Sequence, residues 1–319
     1  MNTETASVPA LDLKSAESTG LTLTPGQLAW RRFRKHRLAL IGAAGITLLI
    51  LFVIIGSVFV PESAANLGDL YNRLTSPTAA HIFGTDSTGR DVFNRIIYGG
   101  QISLFIGVLA VALEVSLGTL IGGLAAYFGG WIDAVLMRFT EAMLAIPSLF
   151  LLIVLAKFLG KDVPTFTVLG RTFSGSVGIV ILVIGLTSWM YLARIVRANV
   201  LSLKELDYIS ASRALGASTS RIFFGHLVPN TLGPIIVAAT LGLANAILLE
   251  AYVSFLGLGV QPPTATWGNM MDQAQSFIMR GVWWMWVFPS LFIIFTILCI
   301  NLMGDGLRDA FDPRSAKNL

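Results

Sequence analysis

DYISASRALGASTSRIFFGHLVPN, residues 207–230, is a polar, helix-forming block in a chain that is otherwise mostly apolar. Leu203, Leu206 and Ile209 recur at threes, and Ala211, Ala214 and Leu215 extend that stripe, so a short helix is expected here. Gly216 suits the position just past a helix end, in the left-handed conformation that costs other residues about 1–2 kcal/mol. Ser218 is placed to cap a second helix, whose Ile222, Phe223, His226 and Leu227 share one face. Pro229 is expected to end that helix before the next apolar run. The block has two readings. It is a loop folded back on its own bundle, or its Ile222–Phe223 pair beside Arg221 docks into a groove of another protein.

The surroundings decide the fold class. Of 319 residues, 55% are hydrophobic and 13% charged, whereas soluble domains carry roughly a quarter charged residues. Residues 39–60 hold no charge, and those 22 positions reach about 33 Å as a helix, enough for a core of about 30 Å. Further spans are expected at 102–126, 139–157, 172–193, 228–250 and 282–304. The expected fold is therefore an all-α integral membrane protein with six transmembrane helices. The first apolar run is long enough to stay as an anchor, so no cleavable signal peptide is expected. Residues 1–24 lack periodicity and are expected to be disordered. Residues 25–100 hold a basic lead-in, the first span and an outer segment; 101–305 form the main transmembrane domain, and 306–319 a polar tail.

Charge placement orients the chain. With the N-terminus inside, 15 of the 22 Lys and Arg residues fall on inner segments and seven on outer ones. The positive-inside rule then puts both termini, and the 203–229 loop, in the cytoplasm. PGQLAWRRFRKHRLAL (25–40) is basic and carries Trp and Phe, which suits the anionic inner leaflet.

On the outer side, Val92, Phe93, Ile96 and Ile97 predict a surface helix, with Asp86, Ser87 or Thr88 as its cap and Asp91 pairing with Arg95. Gly118 and Gly122, and Ala238, Gly242 and Ala246, have the spacing that brings membrane helices close. Pro147 and Pro289 predict kinks. After the fifth span, AYVSFLGLGVQPPTATWGNM (251–270) implies a helix break near Glu250 and a turn at the outer surface. A second surface helix is expected to follow, with Met270, Met271, Ala274, Phe277 and Ile278 on one face.

Three carboxylates lie in or near spans: Glu114, Glu141 and Glu250. Charge is costly there, so each faces an interior, a partner or an aqueous path, or else sits at a helix end or in a structural hydrogen bond. Catalytic chemistry is missing from the sequence. It has no GxxxxGK[ST] nucleotide loop, and its one Gly-Lys pair, Gly160-Lys161, lacks the upstream glycine. The three histidines (His36, His81, His226) are far apart, no metal or cofactor pattern exists, and Cys299 lies alone in an apolar run. A non-catalytic transport subunit would take its energy from a partner. The competing readings are a proton-coupled carrier using the three glutamates and a non-transporting scaffold; no inverted repeat supports the carrier.

Residues 207–230 resemble the EAA loop of ABC-importer permeases: roughly Glu-Ala-Ala, three residues, Gly, then nine residues to Ile-x-Leu-Pro. Here Ser210-Ala211-Ser212, Gly216 and Leu227-Val228-Pro229 occupy that pattern, with Ser210 in place of the family's Glu. The helix–Gly–helix geometry does not depend on that carboxylate. FGTDSTGRDVFNRIIYGGQISLFIG (83–107), Tyr127 through Gly129-Gly130 and Asp133 to Arg138, SFLGLGVQPPTATWG and GDGLRDAFDPR are similar to the C-type permease subunit of dipeptide, oligopeptide and nickel importers. The similarity runs from about residue 27 to 314. It implies a type I importer permease fold in the bacterial cytoplasmic membrane and no nucleic-acid partner. It also implies a homologous B-type permease, two ABC ATPase subunits and an extracytoplasmic substrate-binding protein as partners. Ser210, Ala211, Gly216, Ala217, Ser218, Arg221, Ile222, Phe223, Leu227 and Pro229 would form the ATPase-coupling segment. Peptides are the expected cargo, and nickel, glutathione and sugars the alternatives within the family.

Overall fold

The computed structural model describes residues 24–159, 164–168 and 171–312; the tail expected to be disordered lies, up to residue 23, outside them. Helix α1 (Pro25–Phe33) leads through a tight turn into α2 (Arg37–Phe59), the first span. A short helix, α3 (Glu62–Asn66), and an irregular lobe precede α4 (Val92–Phe128). Helices α5 (Gly130–Ala145) and α6 (Ser148–Leu159) follow, then a two-stranded hairpin, β1 (Phe166–Val168) with β2 (Arg171–Phe173). Helix α7 (Ser176–Lys204) is followed by the short pair α8 (Asp207–Ala214) and α9 (Thr219–Ile222), and then by α10 (Val228–Phe255). Helices α11 (Trp267–Ala274) and α12 (Trp284–Phe311) complete the order.

By length and composition, α2, α4, α7, the α9–α10 run and α12 can each cross a membrane. The α5–α6 pair makes a sixth span only if its 88° bend is counted within one crossing. The expected third span at 139–157 is thus two helices meeting at Ile146-Pro147. Pro147 has no N–H to continue the ladder, and the residue before it is pushed to extended backbone; Ile146 is extended at ψ 124°. Pro289, by contrast, lies within a helix that continues through it.

Helix α4 corrects two expectations at once. The outer surface helix and the second span are one helix of 37 residues, about 55 Å long at 1.5 Å per residue. Its cap is Asp91, whose carboxylate accepts the Asn94 N–H and meets His81 Nδ1 at 2.8 Å. Asp91 does not pair with Arg95. Asp86, expected as a cap, instead organises the lobe ahead of α4. It accepts the Thr88 and Arg90 N–H groups and the Arg90 Nε, and lies 3.7 Å from the buried Arg95 Nε. Arg90 in turn donates to Gln273 on α11 at 2.8 Å, tying the lobe to that helix.

Glycine sets the spacing where α4 crosses α7. A Cβ on Gly118 would sit 2.8 Å from Leu192 Cβ, one on Gly122 would overlap the Ala193 carbonyl, and one on Gly185 would sit 2.6 Å from Leu113. The close approach removes any room for lipid between the two helices.

The segment after α10 departs most from expectation. The helix continues past Glu250 to Phe255; the chain turns with 256–257 and 261–263 exposed, as expected, and then packs inward instead of staying on the surface. Val260, Thr264, Ala265, Thr266 and Trp267 are buried. Trp267 N–H donates to Ser103 Oγ at 3.3 Å and Trp267 Nε1 to the Ile96 carbonyl at 3.0 Å. Asn269 donates to the Val260 and Thr264 carbonyls, closing the loop on itself. The polar groups of this inward segment find their partners within the protein, as burial of irregular chain requires. On the following helix Met270 and Ala274 are buried, but Ile278, beyond its end in a 3-10 turn, is exposed.

Two measurements follow. Trp267→Ala should destabilise the bundle by about 3–5 kcal/mol, seen as earlier thermal exposure of the sole, buried thiol of Cys299 to a maleimide dye; Trp267→Phe should cost less. Burial raises the Asp86 pKa, but Arg95, Arg90 and the hydrogen bonds from Arg90 and Thr88 outweigh it and hold the carboxyl below its ordinary value. The stability it contributes is present above the ordinary Asp pKa of about 3.9 and is lost as pH falls through the lower folded value. The melting difference between wild type and Asp86→Asn should therefore be largest near neutrality and close in acid.

Candidate functional site

One end of the bundle gathers the N-terminus of α2, the C-termini of α4, α7 and α12, and the start of α10. Arg32 Nη1 donates to the Asp312 carbonyl at 3.0 Å, and Phe311 packs within 3.0 Å of where a Gly233 Cβ would lie. The α8–α9 elbow projects from this end. Asp207 lies in the first turn of α8 and Arg213 in its last, each at the terminus its charge favours.

Gly216 has φ +81°. Its N–H donates to the Arg213 carbonyl at 3.0 Å, and the Ala217 N–H donates to the Ser212 carbonyl at 3.0 Å. This reciprocal pair is a Schellman closure. No heavy atom lies within 4 Å of a Cβ placed on Gly216, so the glycine serves backbone conformation and not space. Ser218 Oγ accepts the Arg221 N–H, capping α9 as expected.

After Ile222 the helix widens. Residues Phe223–Leu227 form a π turn in which the Val228 N–H donates to the Phe223 carbonyl. Pro229 then falls in the first turn of α10, where its missing N–H costs nothing. Pro229 does not end a helix, as the sequence suggested. The chain is helical from Thr219 to Phe255, and the wide turn absorbs the proline.

Burial divides the segment and reverses part of the docking expectation. Ile209, Ile222, Phe223 and Leu227 face inward, packing with Ala126, Leu192, Val196 and Val200. Phe223 fills the notch left by Gly123, where a Cβ would come within 2.5 Å of the ring. The Ile222–Phe223 pair therefore anchors the elbow to its own bundle, because a π turn and two helices bring that face onto α4 and α7. The outward face carries Leu215, 88% exposed, and Phe224, 60% exposed, with Ser210, Ala211, Ser218 and Arg221 also exposed and Ala217 half-buried. Phe224 was not singled out in the sequence, and Leu215, expected to extend the stripe of Ile209, instead faces outward. The signal was there: Leu215 precedes a left-handed glycine and cannot fold back, and Phe224 points away from Phe223 on consecutive helical positions.

Polar contacts brace the elbow. Lys204 Nζ donates to the Ala126 carbonyl at the end of α4 at 3.0 Å. Tyr127 donates to Thr219 Oγ1 at 3.4 Å, and its ring lies 5.9 Å from the Arg213 guanidinium carbon. Two turns further in along α7, Arg197 makes a bidentate pair with Asp133, both contacts 2.6 Å. That clasp joins α5 to α7 just after the chain reverses at Gly129 and Gly130, both at positive φ.

The three glutamates do not form one site. Glu250 is fully buried and accepts hydrogen bonds from Ser103 and Ser254. Glu114 is buried against Gly242, where a Cβ would lie 3.0 Å from its carboxyl oxygen. Along α10, Gly242 and Glu250 are about 12 Å apart, with Leu243, Ala246 and Ile247 packed between α4 and α10. Glu141 is on an exposed surface, paired with Arg138 at 3.2 Å. A continuous proton relay through the three is not what this arrangement provides. Among the described residues no cluster of three metal-ligating side chains exists.

Gly216→Val should strain the elbow by about 1–2 kcal/mol without touching the bundle. Amide exchange across 212–218 should rise roughly 5–30-fold, with the thermal midpoint of the Cys299 thiol unchanged.

Residues 118–317 match the family described as binding-protein-dependent transport system inner membrane component. Residues 24–77 match the N-terminal TM domain of oligopeptide transport permease C. The chain is 40% identical over 293 residues to the dipeptide transport system permease protein DppC of Bacillus subtilis (strain 168), covering 92% of this chain and 87% of that one. It is 38% identical over 314 residues to the oligopeptide transport system permease protein OppC of the same organism, covering 98% and 97%. A solved structure of the MetNI methionine ABC transporter, at 20% identity and a TM-score of 0.50, shares the fold over 68% of this chain and 96% of that one. With a family match over most of its length and relatives aligned nearly end to end, the chain belongs to the inner-membrane permeases of binding-protein-dependent transport systems, among the C-type subunits of the dipeptide and oligopeptide group.

Proposed function

We propose that this chain is one permease half of an ATP-driven importer of peptides, coupled to separate ATPase subunits through the elbow around Gly216. The observation that carries the reading is the division of that elbow. A buried face of Ile209, Ile222, Phe223 and Leu227 fixes it to the bundle, and an exposed face of Leu215 and Phe224 remains for a partner. Exposed large apolar side chains on a protruding helix pair are suited to a groove on another protein.

The elbow is also mechanically continuous with the spans. Force on α9 passes without a break into α10, and through Lys204, Ala126 and Phe223 into the ends of α7 and α4. Two ATPases closing beneath this chain and its B-type partner would tilt these helices between inward- and outward-open arrangements. In this reading an extracytoplasmic binding protein delivers the peptide. The elbow and both terminal regions, which share one end of the bundle, face the cytoplasm of a bacterial cell, as the surplus of Lys and Arg favours. Peptide cargo rests on the names of the relatives, which differ among themselves between dipeptide and oligopeptide.

Leu215→Asp with Phe224→Asp should abolish co-purification of the ATPases and ATP-driven peptide uptake in membrane vesicles while leaving thermal stability within about 0.5 kcal/mol, as for surface changes. Phe223→Ala should instead destabilise the chain by about 3–5 kcal/mol. Full assembly and uptake in the Leu215/Phe224 variant would overturn the docking assignment.

A further inference from the structure

We infer that the corner between α1 and the end of α12 is a binding site for the headgroup of an anionic phospholipid. Helix α1 opens on a capping box between Thr24 and Gln27 and lies against α12 through Ala29 and Phe33, which pack with Leu307, Ala310 and Phe311. Beside that contact, Leu28, Arg31, Arg32 and Lys35 line a pocket of about 270 Å³. Three cations thus converge on one small cavity.

Among the described residues, their partners leave that charge uncompensated. Arg32 spends Nη1 on the Ala310 and Asp312 carbonyls, while its Nε is buried with no acceptor among the described residues. Arg31 and Lys35 make no ion pair among the described residues. The nearby acid, Asp309, is directed to His36 Nε2 at 3.4 Å. No Asp or Glu occurs between residues 18 and 61. A phosphate is the group that three convergent guanidinium and ammonium groups suit.

The position of the pocket selects a lipid as the source of that phosphate. One turn beyond Lys35 the exposed surface becomes apolar, with Leu38, Leu40 and Ile41 on the outside of α2. Trp30, 61% exposed, stands beside the pocket on α1 and stacks on Phe33 at 6.0 Å. Basic side chains, an exposed tryptophan and the end of a span mark the level of the headgroups. Acyl chains of a lipid held here would run along the exposed face of α2. A bound headgroup would pin α1 to the last turn of α12, whose Phe311 packs on the first turns of α10.

The test uses the assembled transporter in nanodiscs of phosphatidylcholine with about one-fifth phosphatidylglycerol, the anionic component that basic clusters select, and counts retained lipids by native mass spectrometry. Wild type should retain phosphatidylglycerol in preference to phosphatidylcholine. Arg31→Gln with Lys35→Gln, which spares the Arg32 bonds, should lower that preference roughly thirty-fold, on the order of what two interfacial cations contribute. Arg31→Lys with Lys35→Arg should keep it. Equal retention in wild type and the Gln variant would overturn the proposal. Displacement of the lipid by millimolar inorganic phosphate would also overturn it, since it would mark the pocket as a site for a soluble anion.

Discussion

A single buried carboxylate holds the far end of this permease together. Glu250 lies wholly inside the protein and receives the hydroxyls of Ser103 from α4 and Ser254 from its own helix. Both hydroxyls are used twice: Ser103 Oγ accepts the Trp267 N–H, and Ser254 Oγ accepts the Val260 N–H. The returning segment is thus hydrogen-bonded to the same two serines that serve the glutamate. Removing one member would leave several polar groups buried without partners, which costs more than the bond itself is worth. The segment can lie within the bundle only because this network exists. Gly259, Gly268 and Gly100 give it room, since side chains there would collide with Ser254, Ala251 and Trp267.

From that network the rest follows by packing. Trp267 fixes α4 relative to α12 through Phe292 and the core of aromatic and branched side chains around Ile293. At the middle, Gly118, Gly122 and Gly185 set α4 against α7. At the opposite end, the Arg197–Asp133 clasp and Lys204 hold the chain reversal beneath which the elbow is seated. Helices α4 and α10 run the whole distance, so the two ends are connected by rigid elements and not by loops.

The spans, the short helices around Gly216 and the cap at Ser218 were legible because each rests on local chemistry. Apolar length sets the first, positive φ the second and a side-chain acceptor the third. What escaped were features decided by contacts between distant residues. Nothing near Pro262 in the sequence tells that the chain turns inward there, because the reason lies in Ser103 and Gly100, more than 150 positions away. Within the candidate site, periodicity correctly grouped Ile222, Phe223 and Leu227 on one face. It could not say whether that face met the bundle or a partner.

The π turn at Phe223–Leu227 has a geometric consequence of its own. It inserts one residue more than an α turn would need, which rotates everything before it by about 100° relative to the helix that follows. The turn therefore acts as a phase offset between two surfaces carried by one continuous rod. On one side of it stands α9, with Arg221 outward and Ile222 inward, and on the other the faces that α10 presents to α4 and α12. The outward face of the elbow can change in sequence without re-indexing the membrane helix it drives, and a single-residue deletion in the turn would break that independence.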